Sequence, residues 1–284
     1  MKGCTIVTVA NQKGGVAKTT TCLELAYGLK RRGYHVAVCD MEPQANLTKA
    51  INRDGVKFDR GYVSDLLKSD TPVFDPNADA YQGPVYRVNE GIDIIPSPPR
   101  KYLASVENEM LSMFSRESRL KDPLNILAER NHYDFIIIDT PPALGTLTFN
   151  ALTAARRIIV PCQPEDFAVE GIMQLNETVR ALKSKCNPEL EYSGVLLTRV
   201  QDRANIHKAY SNQAKEISSA LNIRLFEAVI PQAPAIPESQ SRKISLNDNV
   251  GLVAPSKRSK SNKQAALMYD KFVEEFLEAI NNGN

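Results

Sequence analysis

Residues 4–32 run strand, glycine-rich turn, helix, and that order narrows the possible folds of this 284-residue chain more than any other feature. Cys4–Ala10 (CTIVTVA) is rich in β-branched residues, which suits a strand. Thr20–Arg32 places Leu23, Ala26, Tyr27 and Leu29 at helical spacing and is closed by Gly33. A helix between strands is the usual crossover of a parallel sheet, and the alternation continues. HVAVCD (35–40), GIDIIPS (91–97), DFIIID (134–139), IIVPC (158–162), EYSGVLLTRV (191–200) and RLFEAVIP (224–231) read as strands. Two helices are expected within 101–130, and others over 147–155, 168–185, 205–221 and 263–280. Residues 41–91 are less regular and suit loops, short helices and an edge hairpin. The expected fold class is α/β: one doubly wound, mainly parallel sheet with helices on both faces, in a single domain over 1–284.

Composition leaves this reading open and closes others. With 43% hydrophobic and 24% charged residues the chain has the balance of a globular protein. A net charge of +2 is too mild to predict nucleic-acid binding, so any basic patch must be local. No stretch is long and apolar enough for a membrane span, and the N-terminus lacks a signal-peptide apolar region. The five cysteines form no C-x-x-C pair; Cys4, Cys39 and Cys162 lie in or beside strand-like runs and read as buried thiols. His35, His132 and His207 are far apart and read as ordinary surface or strand-edge residues. A soluble cytoplasmic protein is expected.

The turn at ANQKGGVAKTTT (10–21) has the context of a phosphate loop but not its usual pattern. G-x-x-x-x-G-K-[ST] needs glycines where this chain has Gln12 and Ala17. A strand before and a helix after still place backbone N–H groups and the positive helix end around an anion. Gly14 and Gly15 permit close backbone approach, Lys18 would reach the β- and γ-phosphates, and Thr19 would hold Mg²⁺. Asp139 ends the strand DFIIID, where a carboxylate can orient Mg²⁺ through water, and Asp40 ends a second strand. Ligand sites in such sheets lie beyond the carboxyl ends of the strands, where all three features fall.

At these residues the chain resembles the ParA/MinD family of deviant-Walker ATPases. Lys13–Thr19 matches that family's K-G-G-x-G-K-[ST] loop except at Ala17, so Gln12 is no defect. DMEPQAN (40–46) resembles its switch motif D-x-x-P-x-x-N through Asp40, Pro43 and Asn46, and 136–155 resembles its Walker-B and second switch region. IVPCQPEDFAVEGI (159–172) and GVLLTRVQDRANIHK (194–208) are similar to the ParA branch, the DNA-partition ATPases. The resemblance implies ATP/ADP and Mg²⁺ as cofactors, with Lys13, Gly14, Gly15, Val16, Ala17, Lys18, Thr19 and Thr20 around the phosphates. Lys13 would reach the partner subunit's phosphates in an ATP-dependent homodimer. Asp40 would place the attacking water and share the Mg²⁺ shell with Thr19 and Asp139. Adenine would sit near Arg199, Pro231 and Gln232. Nonspecific DNA, a ParB-like centromere-binding protein, nucleoid association and slow, partner-stimulated hydrolysis in plasmid or chromosome partition are implied as well.

Two alternatives stand beside this reading: a MinD-like membrane-cycling ATPase, and a metabolic ligase of the dethiobiotin synthetase type. A membrane-targeting tail should be basic and apolar. Residues 264–280 instead carry Asp270, Glu274, Glu275 and Glu278 against Lys271, and Leu267, Phe272, Phe276 and Ile280 are expected to pack on the domain. Just before them, PSKRSKSNK (255–263) supplies Lys257, Arg258, Lys260 and Lys263. With Arg203, Lys208 and Lys215 these are the candidate DNA-backbone contacts. No base-reading pattern is present, and a chain that begins at its first strand is expected to carry no N-terminal DNA-reading domain. Ala17 costs about 1–2 kcal/mol if its φ is positive, and nothing if it is negative.

Overall fold

The computed structural model describes residues 3–69, 83–88, 91–165, 168–201, 212, 214–216, 218–253 and 259–281. Strands β1 (Thr5–Val9), β2 (Val36–Asp40), β3 (Tyr86–Val88), β4 (Ile92–Ile95), β5 (Phe135–Asp139), β6 (Arg157–Cys162), β7 (Glu191–Val200) and β8 (Leu225–Pro231) form one sheet. Their spatial order is β3-β4-β2-β5-β1-β6-β7-β8. All described pairings are parallel except β3 with β4, an antiparallel hairpin at one edge. The connecting helices are α1 (Lys18–Arg31), α2 (Asn46–Ile51), α3 (Val63–Lys68), α4 (Arg100–Met110), α5 (Lys121–Asn131), α6 (Thr146–Ala154) and α7 (Ala168–Lys185). Beyond β8 come α8 (Ala235–Arg242), α9 (Leu246–Leu252) and α10 (Lys260–Asn281).

Strand alternation sorts the core onto two faces. Ala37, Cys39, Ile136, Ile138 and Ile158 pack with α3–α7 on one side. Val7, Val9, Val36, Val38, Phe135 and Ile137 pack with α1, α2, α9 and α10 on the other. The central strands are buried on both faces, which explains their continuous apolar sequence. Helices α1 and α10 touch where Gly28 faces Val273, with no room for a methyl group between them. Glu275 of α10 accepts hydrogen bonds from the Glu227 and Ala228 amides of β8, at 2.7 and 2.9 Å, and so covers the second sheet edge.

The expected elements are present with ends shifted by a residue or a few. One expectation needs correction, and two features had none. Leu267 is 59% exposed, whereas Phe272 and Phe276 are buried; α10 is a two-sided helix and Leu267 lies on its outer side. Cys186 is exposed in the turn after α7, while Cys22, Cys39 and Cys162 are buried and Cys4 partly so. Helices α8 and α9 had no counterpart in the periodicity, being short and carrying the weak helix formers Pro237 and Gly251. The expected helix over 205–221 is described at 212, 214–216 and 218–220, where it is helical; His207 and residues 70–82 lie outside the described residues.

Candidate nucleotide site

Register brings the two acids together. Asp40 pairs with Asp139 across β2 and β5, and Val9 pairs with Asp139 across β1 and β5. The last residue of each of three adjacent strands therefore stands level. Alternation turns both carboxylates to the α1 face, because Val38 and Ile137, two residues earlier, already face α1. The Thr19 hydroxyl, in the first turn of α1, donates to Asp139 Oδ2 at 2.6 Å.

The loop between β1 and α1 is built to keep its carbonyls occupied. Gly15 has φ 76, which glycine takes without cost. Ala17, the N-cap of α1, has φ 67 and ψ 31, the left-handed conformation in which alanine is strained. Thr198 donates to Val16 O at 3.0 Å, Arg199 Nη1 to Gly15 O at 2.9 Å, and Thr21 Oγ1 to Ala17 O at 2.8 Å. Lys18 Nζ donates to Asn11 O and Lys13 O, both at 3.1 Å, so its ammonium lies folded within the loop. Burial lowers its pKa, opposed by the charges of Asp139 and Glu42. Asn11 links the loop to β6, donating to Pro161 O at 2.7 Å and accepting from Lys13 N at 3.0 Å. The Lys13 ammonium is paired with Glu165 at 2.9 Å.

Both acids are fully buried. Asp40 accepts from the Glu42 amide at 3.0 Å and from Thr48 N and Oγ1 at 2.8 and 2.7 Å. Asp139 Oδ1 is buried without a hydrogen-bond donor. Burial pushes both carboxyls above the usual range, and the Asp40 charge adds to the effect at Asp139. Such a pair is stabilised by a cation. Hard oxygen donors, a threonine hydroxyl and an unfilled carboxylate oxygen fit Mg²⁺. Among the described residues no group of three or more His, Cys, Asp or Glu side chains could hold a metal. Mg²⁺ here would rest on Thr19 and the acids, completed by phosphate and water, which is its usual mode.

A cavity of about 840 Å³ opens over this floor, large enough for a small-molecule ligand. Of the residues expected around the nucleotide, Gly14, Gly15, Ala17, Lys18, Thr19, Thr20, Arg199 and Gln232 line it, whereas Lys13 and the buried Val16 do not. Pro231 does not, and the reason is alternation: Ile230 and Gln232 face the cavity, so the residue between them faces away. Arg199 sits beside the phosphate loop, tied to Gly15. The wall also includes Glu42 and Gln44 after β2, Asn46 and Lys49 from α2, Thr140 and Pro142 after β5, and Gln240 of α8 with its C-cap residue Lys243. Gln240 donates to Thr20 Oγ1 at 2.8 Å and Lys243 to Asn52 O at 3.0 Å, so α8 is tied to both α1 and the end of α2. These α8 residues and Glu165 escaped the sequence reading because each is placed by a tertiary contact, not by a local motif. Thr140–Pro142 could have been found, since it directly follows Asp139 in DTPP.

Of the basic candidates, Lys215 is exposed on described helical residues, and Lys260 and Lys263 are exposed at the start of α10, one turn apart. Arg203, Lys208, Lys257 and Arg258 lie outside the described residues. No described helix is long and apolar enough to cross a membrane.

A family profile described as an AAA domain matches residues 4–192. The chain is 36% identical over 242 residues to the chromosome partitioning protein ParA of Myxococcus xanthus, covering 83% of this chain and 78% of that protein. It is 36% identical over 238 residues to the sporulation initiation inhibitor protein Soj of Bacillus subtilis, covering 83% and 87%. Its fold is similar to cobyrinic acid a,c-diamide synthase from Mycobacterium smegmatis, solved with a bound ATP analog and magnesium. That match has a TM-score of 0.74 and 29% identity over 99% of this chain and 97% of that one. With the fold, the loop and the two strand-end acids in place, the chain belongs to the ParA-type family of P-loop ATPases.

Proposed function

We propose that the protein is an ATP-dependent dimerising switch that binds DNA without sequence preference and hydrolyses ATP to drive plasmid or chromosome partition. The observation that carries this reading is the convergence of Lys18, Thr19, Asp139 and Asp40 at three level strand ends beneath one cavity. ATP binds through the loop amides from Gly14 to Thr20, with Lys18 at the β- and γ-phosphates. Thr19 and Asp139, with Asp40 close by, hold Mg²⁺, which neutralises phosphate charge when bound. Asp40 orients the attacking water. Lys13 leaves Glu165 and reaches the partner subunit's phosphates, a contact that ATP supports better than ADP. Adenine occupies the side of the cavity formed by Gln232 and α8.

Dimerisation aligns the basic surfaces that carry Lys215, Lys260 and Lys263 into a track for the DNA backbone, and Arg203, Lys208, Lys257 and Arg258 are further candidate contacts to it by sequence. Hydrolysis loosens the dimer and releases DNA, slowly until a ParB-like centromere-binding protein stimulates it. The protein works in the cytoplasm on the nucleoid, as a single domain. Sedimentation with ATP, ADP and a slowly hydrolysed analogue, with and without random-sequence DNA, tests dimerisation and DNA binding together. Equal DNA affinity with ATP, ADP and no nucleotide would overturn the switch. Likeness to the Mycobacterium smegmatis diamide synthase favours a second reading, an amide-forming ligase. That reading requires ATP turnover that depends on a small carboxylic acid and ignores DNA.

A further inference from the structure

Asp40 belongs to a closed hydrogen-bonded ring. Its Oδ2 accepts from Thr48 N at 2.8 Å and Thr48 Oγ1 at 2.7 Å. Thr48 Oγ1 in turn accepts from Ser97 N at 3.0 Å. Ser97 Oγ donates to Glu42 O at 3.0 Å, and the Glu42 amide returns to Asp40 Oδ1 at 3.0 Å. The ring joins the end of β2, the first turn of α2 and the segment after β4. Asp40, Thr48 and Ser97 are all buried, at 0%, 6% and 4% exposure.

The proton positions in this ring follow from the chemistry of its members. A backbone amide can only donate, so Ser97 N fills an acceptor site on Thr48 Oγ1. A hydroxyl has one hydrogen, so that hydrogen goes to Asp40 Oδ2. With two donors Oδ2 is occupied, while among the described residues Oδ1 receives the Glu42 amide alone. The ring thus loads Oδ2 with two donors and Oδ1 with one, and fixes the plane of the carboxylate. It also makes α2 and the acid one unit. The N-cap of α2 is Ala45, in the left-handed region (φ 54), with no side-chain cap. Asp40 takes the amide hydrogen bond a capping side chain would accept.

We propose that Thr48 is a positioning residue for the hydrolysis step: its hydroxyl, oriented by the Ser97 amide, aims Asp40 Oδ1 at the attacking water. The inference rests on the function proposed above. A ring that only satisfies a buried acid would support folding and leave turnover per bound ATP unchanged.

The test uses the full chain with ATP, Mg²⁺ and DNA, and compares Thr48→Val, Thr48→Ser and Asp40→Ala with wild type. Valine keeps the shape and removes the hydroxyl; serine keeps the hydroxyl. Thr48→Val should lower kcat about 10- to 100-fold, the usual effect of losing a group that orients a catalytic ligand. Its KM and its affinity for a fluorescent ADP analogue should stay within about threefold, because the group acts on the step and not on binding. Thr48→Ser should return kcat to within about threefold of wild type. Should Thr48→Val fail to fold, Thr48→Ala, which leaves room for a water, carries the same comparison. An inactive Asp40→Ala beside a Thr48→Val of wild-type kcat overturns this inference alone. Equal loss of kcat in Thr48→Val and Thr48→Ser overturns it too. Wild-type turnover in Asp40→Ala would instead overturn the functional reading.

Discussion

The strained alanine of the phosphate loop gives a prediction with a definite sign. Ala17 adopts φ 67 and ψ 31, where a methyl group costs about 1–2 kcal/mol relative to glycine. Ala17→Gly removes that strain. It also gives the unfolded chain more freedom, which costs about 0.4–1 kcal/mol. The net runs from about zero to about 1.6 kcal/mol of stabilisation, with its centre at about 0.8 kcal/mol. At about 2–4 °C per kcal/mol for a chain of this size, Tm should rise by about 2–3 °C at the centre of that range and by up to about 6 °C. Nucleotide affinity should hardly change, because Thr198, Arg199 and Thr21 hold the loop carbonyls, and with them the strained conformation, by contacts that do not involve the nucleotide. Thermal unfolding with and without nucleotide, together with titration of a fluorescent analogue, measures both. A lowered Tm would refute the strain argument. An affinity gain of about tenfold would mean about 1.4 kcal/mol of loop rearrangement on binding, and would refute a preformed loop.

Other perturbations test separate parts of the structure. Gly28→Ala would put a Cβ 2.6 Å from Val273 Cγ2, so the α1–α10 contact must open; overpacking of about 1–3 kcal/mol outweighs the roughly 1 kcal/mol of added helix propensity. Tm should fall, and Val273→Ala in the same chain should restore it. Glu24 is buried, and its pKa is pushed up to about 8, chiefly by burial against the help of the Leu246 amide. The folded chain therefore holds a proton that the unfolded chain has lost above the ordinary carboxylate range, and stability falls as pH rises toward about 8. Glu24→Gln removes that slope, so its Tm advantage over wild type should widen from acidic to mildly alkaline pH. The Lys13–Glu165 pair is partly exposed, at 29% and 44%, and worth about 0.2–1 kcal/mol. Glu165→Gln should therefore lower the ATP concentration for half-dimerisation in sedimentation by no more than about fivefold, and a loss of dimerisation would contradict that. Lys260→Ala with Lys263→Ala should weaken DNA binding and reduce the salt slope by about one per lost phosphate contact, with no loss of Tm.

How much of this was legible in the sequence depended on the range of the forces involved. β1, β2 and β5 were readable because a central parallel strand is covered on both faces and must be apolar throughout. Asp40 and Asp139 stood out by ending such runs. Which side each faces was not legible, since a run that is apolar throughout has no alternation to mark its faces. Their level register was not legible either, because it depends on the β5 insertion between β1 and β2. Helices α8 and α9 were invisible for a different reason. Helix α9 is seven residues long, and its first amide is held by Glu24 of α1, at 3.0 Å, a contact more than two hundred residues distant in sequence. Pairings of that separation leave no periodic trace.

Ala17 shows where a motif stops and geometry begins. The family loop has glycine there, and the pattern alone left two outcomes: a negative φ, at which alanine is harmless, or a positive one, at which it is strained. The surrounding contacts decide between them. Ala17 O must accept from both Thr21 N and Thr21 Oγ1, which fixes it as the first carbonyl of α1. Val16 O must meet Thr198, and Gly15 O must meet Arg199. With the peptide planes on both sides of Ala17 held by separate elements, the residue has little freedom to relax away from φ 67. Neighbouring structure therefore maintains the strain, which is how sparsely populated backbone conformations persist at binding sites. It follows that Thr198→Val should relieve part of that hold. In that background Ala17→Gly should stabilise the chain by less than it does in wild type, a coupling that a double-mutant cycle of Tm values reads directly.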